Sequence, residues 1–324
     1  MPFARLLPIM RRRVLFAAFP VALLAGRAHA SPKRLDLAAY SSQAVVGTAA
    51  QRFADKAGAL SARRFRIEVS ELPPTMPFDA MARASALASF HAPMFSRDEP
   101  ILGLSAVPML AATVDEAETL LRVARPYYDA ALARHGQILL AVEPWRPAAL
   151  WSTFRLRSGG DLRGARFALD ETVYTGDGWT EPFARAGAQR SSYSEAEVTL
   201  SSGYASSAAL AREFACVTEI FFALQLTFLT ANRGAFELLT EGEREDLRTI
   251  GRQTEAELWR EIRSFMQRDR QEAASRGVLV SAEPPADLMT ALRTAAEPNV
   301  GRWAAAMGAD GAALLADYRR AIGF

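Results

Sequence analysis

The sequence predicts an α/β protein of two lobes that share one long helix. Strand and helix patterns alternate along the first half of the chain, which indicates a mainly parallel sheet covered by helices in each lobe. Half of the residues are apolar, and a chain of this length normally divides into two lobes with substantial cores. The amphipathic stretch 240–276 predicts a helix roughly 50 Å long, enough to run along both lobes.

The N-terminal segment has the pattern of a secretory signal peptide. Three arginines at 11–13 precede an apolar run over 14–26. The Ala-His-Ala sequence at 28–30 then supplies a small-x-small cleavage site before Ser31. The apolar run is shorter than the ~20 residues that cross a bilayer as a helix, so we predict export and a mature chain from Ser31. An uncleaved anchor is the alternative, and the arginines leave Sec and twin-arginine export open.

This leader hides the charge of the mature chain. The whole sequence has 38 basic and 36 acidic residues, a net charge of +2. Residues 1–30 contain five arginines and no acidic residue. Removing them leaves 33 basic residues against 36 acidic ones, a net charge of −3. The mature chain therefore gives no indication of binding to nucleic acid or to an anionic membrane surface.

The first half of the chain begins with a β-α-β unit. Strands are predicted at 35–40, 65–69 and 138–142, and the stretch 86–90 is apolar. Helices are predicted at 47–59, after Pro77, at 114–121 behind the N-cap Thr113, and separately at 126–134.

The chain is expected to cross to the second lobe within 143–161, because this stretch is rich in proline, tryptophan, arginine and glycine. A strand at 166–169, a helix near 179–186, a polar stretch at 191–207, a returning strand at 223–231 and the long helix up to Gly277 then follow. The predicted boundaries are 1–30 for the signal peptide, 31–143 with about 227–255 for lobe I, and 144–226 with about 256–324 for lobe II.

Motifs for catalysis and metal binding are missing from the sequence. It contains no Gly-x-Ser-x-Gly, phosphate-binding loop, His-Glu-x-x-His or Cys-x-x-Cys pattern. Cys216 is the only cysteine and is predicted to be a buried small hydrophobe. His91 and His135 are too few and too isolated for a metal site. We predict no cofactor and no enzyme, and an exported two-lobed chain of this kind is best explained as a protein that closes on a solute.

Short segments then occur in a characteristic order. They are Phe53-Ala54-Asp55-Lys56, Asp98-Glu99-Pro100, Val107-Pro108-Met109-Leu110, Asp161-Leu162-Arg163-Gly164, Ala186-Gly187-Ala188, Tyr193-Ser194-Glu195, and Asn232 with Phe236-Glu237-Leu238-Leu239. With this set, the chain from about Leu35 onward resembles the solute-binding proteins of tripartite ATP-independent periplasmic (TRAP) transporters, the DctP-like dicarboxylate-binding family. The resemblance implies a two-lobed periplasmic-binding-protein-like fold, with strand hinges and the long helix as a spine. It also implies a periplasmic monomer that binds a small organic solute and a membrane permease, without a membrane span of its own.

The pocket that the resemblance implies is atypical. The family's arginine that clamps the solute carboxylate stands where this chain has Ala168, and Glu171 stands where asparagine is frequent. Losing a cation and gaining an anion would disfavour an anionic solute, because a buried unpaired carboxylate is costly. Arg146 matches a second ligand-side arginine of the family. The alternative is that Glu171 faces solvent and Arg146 pairs with a neighbouring acidic residue such as Glu143.

The family pattern and its subgroup with a Thr-Ser-Ser motif imply further solute contacts at Tyr40, Phe90, His91, Trp145, Trp151, Tyr193, Ser202 and Thr227. Each aromatic residue among them could equally lie in a core. Two functions of other classes stay open. One is a secreted enzyme that uses Glu171 with Asp170 or Glu195 as acid and base, and the other is a sensor subunit that presents its closed form to a signalling partner.

Overall fold

The computed structural model describes residues 32–40, 47–61, 64–72, 76–169, 177–202 and 207–323. The strands are β1 Lys33–Tyr40, β2 Phe65–Leu72, β3 Leu87–His91, β4 Gln137–Pro144, β5 Ala148–Ser152, β6 Arg166–Leu169, β7 Gln189–Arg190, β8 Val198–Ser202, β9 Cys216–Glu219, β10 Leu226–Asn232 and β11 Leu279–Ser281. The helices are α1 Gly47–Leu60, α2 Phe78–Ala84, α3 Val114–Arg134, α4 Glu181–Arg185, α5 Ser207–Glu213, α6 Arg233–Glu237, α7 Glu241–Ser275, α8 Ala286–Met307 and α9 Ala309–Ala321. The predicted signal peptide lies outside these ranges.

The first sheet has the strand order β2-β1-β3-β10-β4. β1 pairs in parallel with β2 and β3, whereas the returning strand β10 pairs antiparallel with β3 and β4. Helices α1 and α7 cover one face of this sheet, where Phe53 and Leu247 are buried. Helix α3 covers the other face, where Tyr128 packs edge-on against Phe228 with ring centroids 4.8 Å apart.

The second sheet has the order β11-β9-β5-β8-β6-β7. β5 pairs antiparallel with β8 and β9, and the remaining neighbours pair in parallel. In both sheets the antiparallel pairs involve a strand that arrives from the other sheet, β5 or β10. Such a strand enters its new sheet from the opposite end, so both sheets are mixed.

The chain passes between the sheets along two adjacent segments. The first joins β4 to β5 through Trp145 and Arg146, within the stretch 143–161. The second joins β9 to β10, and its residue Gln225 accepts a hydrogen bond at its carbonyl from the Trp145 backbone N–H at 2.9 Å. The two crossovers therefore run side by side.

The long helix α7 contacts both sheets. Thr240 caps its N-terminus and forms a capping box with Glu243, and Gly277 follows its end with φ of +83°. Against the first sheet the helix approaches so closely that a Cβ on Gly251 would lie 2.3 Å from the Leu140 carbonyl oxygen. Against the second sheet Ala273 is completely buried. The prediction of one long helix is confirmed.

Several predicted elements differ from the structure. The separate helices at 114–121 and 126–134 are one helix, α3, with Pro126 in its interior. Pro126 is exposed, so water can satisfy the carbonyl that loses its intrahelical donor. Strand β8 lies within the stretch that we interpreted as polar and irregular, and Thr199 there donates its hydroxyl to the Ala168 carbonyl oxygen at 2.8 Å. Cys216 is buried, as predicted.

The C-terminal helices α8 and α9 contribute side chains to the cores around both sheets. Leu288 and Leu292 of α8 join the core around the second sheet. Trp303, also in α8, and Leu314 and Tyr318 of α9 join the core around α3 and the first sheet. Within the described ranges, no helix combines the length and apolar character that a membrane span requires.

Candidate functional site

Three polar side chains lie side by side at one end of the first sheet. His91 ends β3, Glu143 is the penultimate residue of β4, and Thr227 is the second residue of β10. Thr227 pairs with His91 on one side and with Glu143 on the other. Paired residues of neighbouring strands point to the same face, so the three side chains form a row across the sheet. We name His91, Thr227 and Glu143 the polar row.

Trp145 covers two members of the polar row. Its indole Nε1 donates a hydrogen bond to Thr227 Oγ1 at 2.8 Å. Its ring stacks on the His91 imidazole, with ring centroids 4.4 Å apart and an interplanar angle of 27°. Because the adjacent crossover also holds its backbone N–H, the indole is fixed directly above the row.

Two atoms of the polar row are buried without a hydrogen-bond partner, Nε2 of His91 and Oε2 of Glu143. Burial lowers the pKa of His91 to about 4, against the opposing effect of a hydrogen bond with Gln225. Burial raises the pKa of Glu143 to about 8, against the opposing effects of Arg52 and of a hydrogen bond from the Ala49 backbone N–H. Both side chains are therefore mainly neutral near pH 7.

The basic residues near Glu143 on α1 have other partners. Arg52 donates to Glu261 of α7 at 2.7 Å. Lys56, one turn further along the same helix, donates to Glu257 at 2.5 Å. These pairs fasten α1 to α7, and among the described residues no cation bonds directly to the Glu143 carboxyl.

A second group of charges lies beside the crossovers. Arg146 forms an ion pair with the buried Asp269 of α7 at 3.1 Å, and its guanidinium lies 4.7 Å from the centre of the Phe265 ring. One residue further along α7, Arg270 donates to the buried Glu219 at 2.6 Å. Burial raises the pKa of Asp269, and Arg146 opposes that shift. Arg146 thus pairs with an acidic residue, as the alternative interpretation has it, but with Asp269 rather than Glu143.

On the second sheet, Ala168 is buried in β6. It pairs with Thr199 of β8, which in turn pairs with Trp151 of β5, so these three residues share one face. Arg166 lies two residues before Ala168, and its Nε donates to the Glu195 carbonyl oxygen at 2.8 Å while it also pairs with Glu197. Arg166 therefore gives no replacement for the family's arginine.

Two predicted solute contacts are core side chains, which corrects their assignment to a cleft. Phe90 packs among Phe78, Phe95 and Phe228, with ring centroids 5.4–6.1 Å apart. It precedes His91 on the same strand, so strand alternation turns it to the opposite face. Trp151 is completely buried in a cluster with α5 and α7 side chains.

The remaining predicted site residues are either exposed at the surface or outside the described residues. Tyr193 is exposed and lies edge-on to Phe214 with centroids 6.5 Å apart. The side chains of Tyr40 and Ser202, and the whole of Glu171, lie outside the described residues. The structure brings together His91, Trp145 and Thr227, and adds Glu143, which the sequence argument named only as a partner for Arg146. The signal for Glu143 is an acidic residue at the end of an otherwise apolar strand.

The part of the chain that the structure describes holds no group of three or more histidine, cysteine, aspartate or glutamate side chains able to bind a metal.

Comparison with known proteins gives matches among solved structures alone. No protein-family model matches the sequence, and no curated protein matches it. DctP7 of Bordetella pertussis, an extracytoplasmic solute receptor binding pyroglutamic acid, is 21% identical with a TM-score of 0.70, covering 89% of this chain and 99% of that chain. A TRAP periplasmic solute-binding protein from Ochrobactrum anthropi is 15% identical with a TM-score of 0.75, covering 90% and 96%. Another from Desulfovibrio desulfuricans, with bound sn-glycerol-3-phosphate, is 14% identical with a TM-score of 0.71, covering 89% and 97%.

The architecture is thus that of the two-lobed periplasmic binding proteins. More narrowly, the chain has the fold of the TRAP periplasmic solute-binding proteins over nearly their whole length. The fold implied by the sequence resemblance is confirmed.

Proposed function

We propose that this protein is an extracytoplasmic receptor that captures a small organic solute between two lobes and delivers it to the permease of a TRAP-type secondary transporter. The observation that carries the proposal is the match to solute receptors over 96–99% of their length. Those receptors hold pyroglutamic acid and sn-glycerol-3-phosphate, both small polar organic molecules. Two-lobed proteins of this kind close around their ligands by hinge motion.

The lobes follow the two sheets. We propose that lobe I contains the first sheet with α1, α3 and the first half of α7, and that lobe II contains the second sheet with α5 and the second half of α7. Helix α9 belongs with lobe I, because Leu314 and Tyr318 pack in that core. This changes the sequence-based boundary, which placed all of 256–324 in lobe II.

The solute site lies beside the crossovers. The polar row and Trp145 supply its lobe I side, and Ala168 supplies its lobe II side. Three arginines close to these positions in the fold or along the chain, Arg52, Arg146 and Arg166, are paired with Glu261, Asp269 and Glu197. This arrangement supports a pocket that lacks the guanidinium clamp for carboxylates.

Thermal unfolding of the mature chain, residues 31–324, against a library of organic acids, amino acids and polyols tests the proposal. A true solute at a hundred times its dissociation constant adds ~2.7 kcal/mol of stability and raises the melting temperature by several degrees. Titration calorimetry then gives the affinity of each hit. A library in which no small organic molecule raises the melting temperature would overturn the proposed function.

Export is proposed from the leader. Expression of the full chain in a Gram-negative host should release a protein from the periplasm whose N-terminal residue is Ser31. Recovery of a membrane-bound chain that keeps residues 1–30 would instead support the uncleaved anchor.

A further inference from the structure

We propose that the polar row binds a positively charged nitrogen of the solute, an ammonium or amidinium group, on the carboxyl group of Glu143. The solute is then a cation or a zwitterion. This inference rests on the proposed function, since it assigns a chemical class to the ligand of the same site.

The geometry of the polar row carries the inference. Glu143 is buried on a sheet face that is otherwise mostly apolar, yet its Oε2 has no hydrogen-bond partner, and neither does Nε2 of His91 two strands away. Most buried polar atoms in native proteins are hydrogen-bonded, and those that are not commonly belong to functional sites. The two orphan atoms flank the Thr227 hydroxyl, so three polar groups line up along the edge where the chain crosses between lobes.

The charges around the row favour a cation over an anion. From α1, Arg52 acts on the Glu143 carboxyl, but it is bonded to Glu261 of α7. Lys56 of the same helix is bonded to Glu257. From α7, Glu261 and Glu257 act on Arg52 and raise its pKa, and Glu255 is held by Arg125 and by the Val142 backbone N–H. An anionic group would therefore meet a carboxyl and several paired acids. A nitrogen cation would instead gain a carboxylate partner.

The neighbouring strands and the crossover add no competing cation. His91 on β3 is neutral near pH 7, Thr227 on β10 is uncharged, and Arg146 beyond β4 is paired with Asp269. The indole of Trp145, stacked on the His91 imidazole, lies over the row. Aromatic faces attract cations, so the cover of the row also suits a charged nitrogen.

Binding of such a group is linked to the ionisation of Glu143. The carboxyl is mainly protonated below about pH 8, and a cation binds its ionised form, so binding releases a proton. The affinity for a cation therefore rises by up to about tenfold per pH unit between about pH 6 and about pH 8. A solute carboxylate that accepts a hydrogen bond from protonated Glu143 would show the opposite trend. His91 does not titrate in this window, because its pKa is about 4.

Three compounds that share a five-membered ring provide the test. Pyrrolidine carries a cation, proline carries both charges, and cyclopentanecarboxylate carries an anion on the same five-membered frame. Calorimetric titration of the mature protein should show binding of pyrrolidine and proline, with an affinity that rises between about pH 6 and about pH 8. Cyclopentanecarboxylate should not bind. Glu143→Gln should weaken binding at least about tenfold near pH 8 and remove the pH dependence. Glu68→Gln removes an exposed carboxylate from β2 of the same sheet. It should change neither the affinity nor its pH dependence.

Each contrary result has a distinct meaning. Failure of both nitrogen compounds to bind, while an anionic or uncharged solute of the library does, overturns the inference and leaves the proposed function standing. Binding of cyclopentanecarboxylate that weakens as pH rises also overturns it. A library without any binder contradicts the proposed function itself. The wild-type pH series gives an answer independent of the Glu143→Gln variant, whose fold is checked by circular dichroism.

Discussion

Replacing Glu143 with glutamine should stabilise the protein, and by more as pH rises. The ordinary pKa of the carboxyl is 4.5, and burial raises it to about 8 in the folded chain. Below about pH 4.5 the carboxyl is protonated in both folded and unfolded chains, so it costs nothing there. Between these values the unfolded chain releases the proton while the folded chain keeps it, so the wild-type protein loses stability as pH increases. Glutamine has no proton to release and avoids this loss.

The magnitude follows from the two pKa values. Their difference of about 3.5 units, at about 1.4 kcal/mol per unit, gives a full cost of about 5 kcal/mol above pH 8. The same relation gives about 3 kcal/mol at pH 7 and about 1 kcal/mol at pH 5. For a protein with a total stability of about 5–15 kcal/mol, a change of this size is easily measured.

Urea unfolding followed by tryptophan fluorescence at about pH 5, 7 and 9 measures the difference between the variant and the wild type. The difference should grow by about 4 kcal/mol over this range. Glu68→Gln is the matched control. Glu68 is exposed and Arg34 lowers its pKa, so it stays ionised in both states above pH 5 and its removal adds no pH dependence. Parallel stability profiles for wild type and Glu143→Gln would refute the burial argument.

Two further predictions concern the helix contact and the pocket. Gly251→Ala should destabilise the protein by roughly 1–3 kcal/mol in urea unfolding, because the new Cβ would lie 2.3 Å from the Leu140 carbonyl oxygen. Gly301→Ala, where a Cβ meets nothing within 4 Å, should be neutral or stabilising by up to about 1 kcal/mol. Succinate should bind the native protein weakly or not at all in calorimetric titration, whereas Ala168→Arg combined with Glu171→Asn should recover measurable carboxylate affinity. Tight succinate binding by the native chain would contradict the pocket interpretation.

Local sequence signals predicted those elements whose stability is mainly local. The long helix α7 combines apolar periodicity with a capping box at Thr240 and a terminating Gly277, so its ends were predicted within two residues. Pro126 misled the prediction of α3, because a proline in a helix interior is tolerated where the lost carbonyl partner faces water. The sequence does not predict strand β8, because Thr199 finds its hydrogen-bond acceptor, the Ala168 carbonyl oxygen, only on a neighbouring strand.

The site is harder to predict from the sequence than the helices and strands, because its residues come together only through strand register. His91, Trp145 and Thr227 are separated by 54 or more positions in the sequence, and each was selected by resemblance rather than by a contact. Phe90 and Trp151 are also expected at the site by resemblance alone, but strand alternation directs both side chains into a core. Order along the chain fixes which segments approach the cleft, but strand alternation decides which residue of each segment points there.

Glu143 shows what register adds to such a pattern. Along the chain, Glu143 is an acidic residue three positions before Arg146, and an ion pair between the two is the simplest expectation. Placed in the sheet, it is next to Thr227, and its neighbour Arg146 turns away to Asp269. A buried carboxyl that lowers the stability of the folded chain at neutral and higher pH is a poor structural element. A neutral side chain of the same shape would make the fold more stable. The cost of the carboxyl is explained if the ionised form is used by a bound cation, so Glu143→Gln should raise the stability of the protein and lower its affinity for the solute.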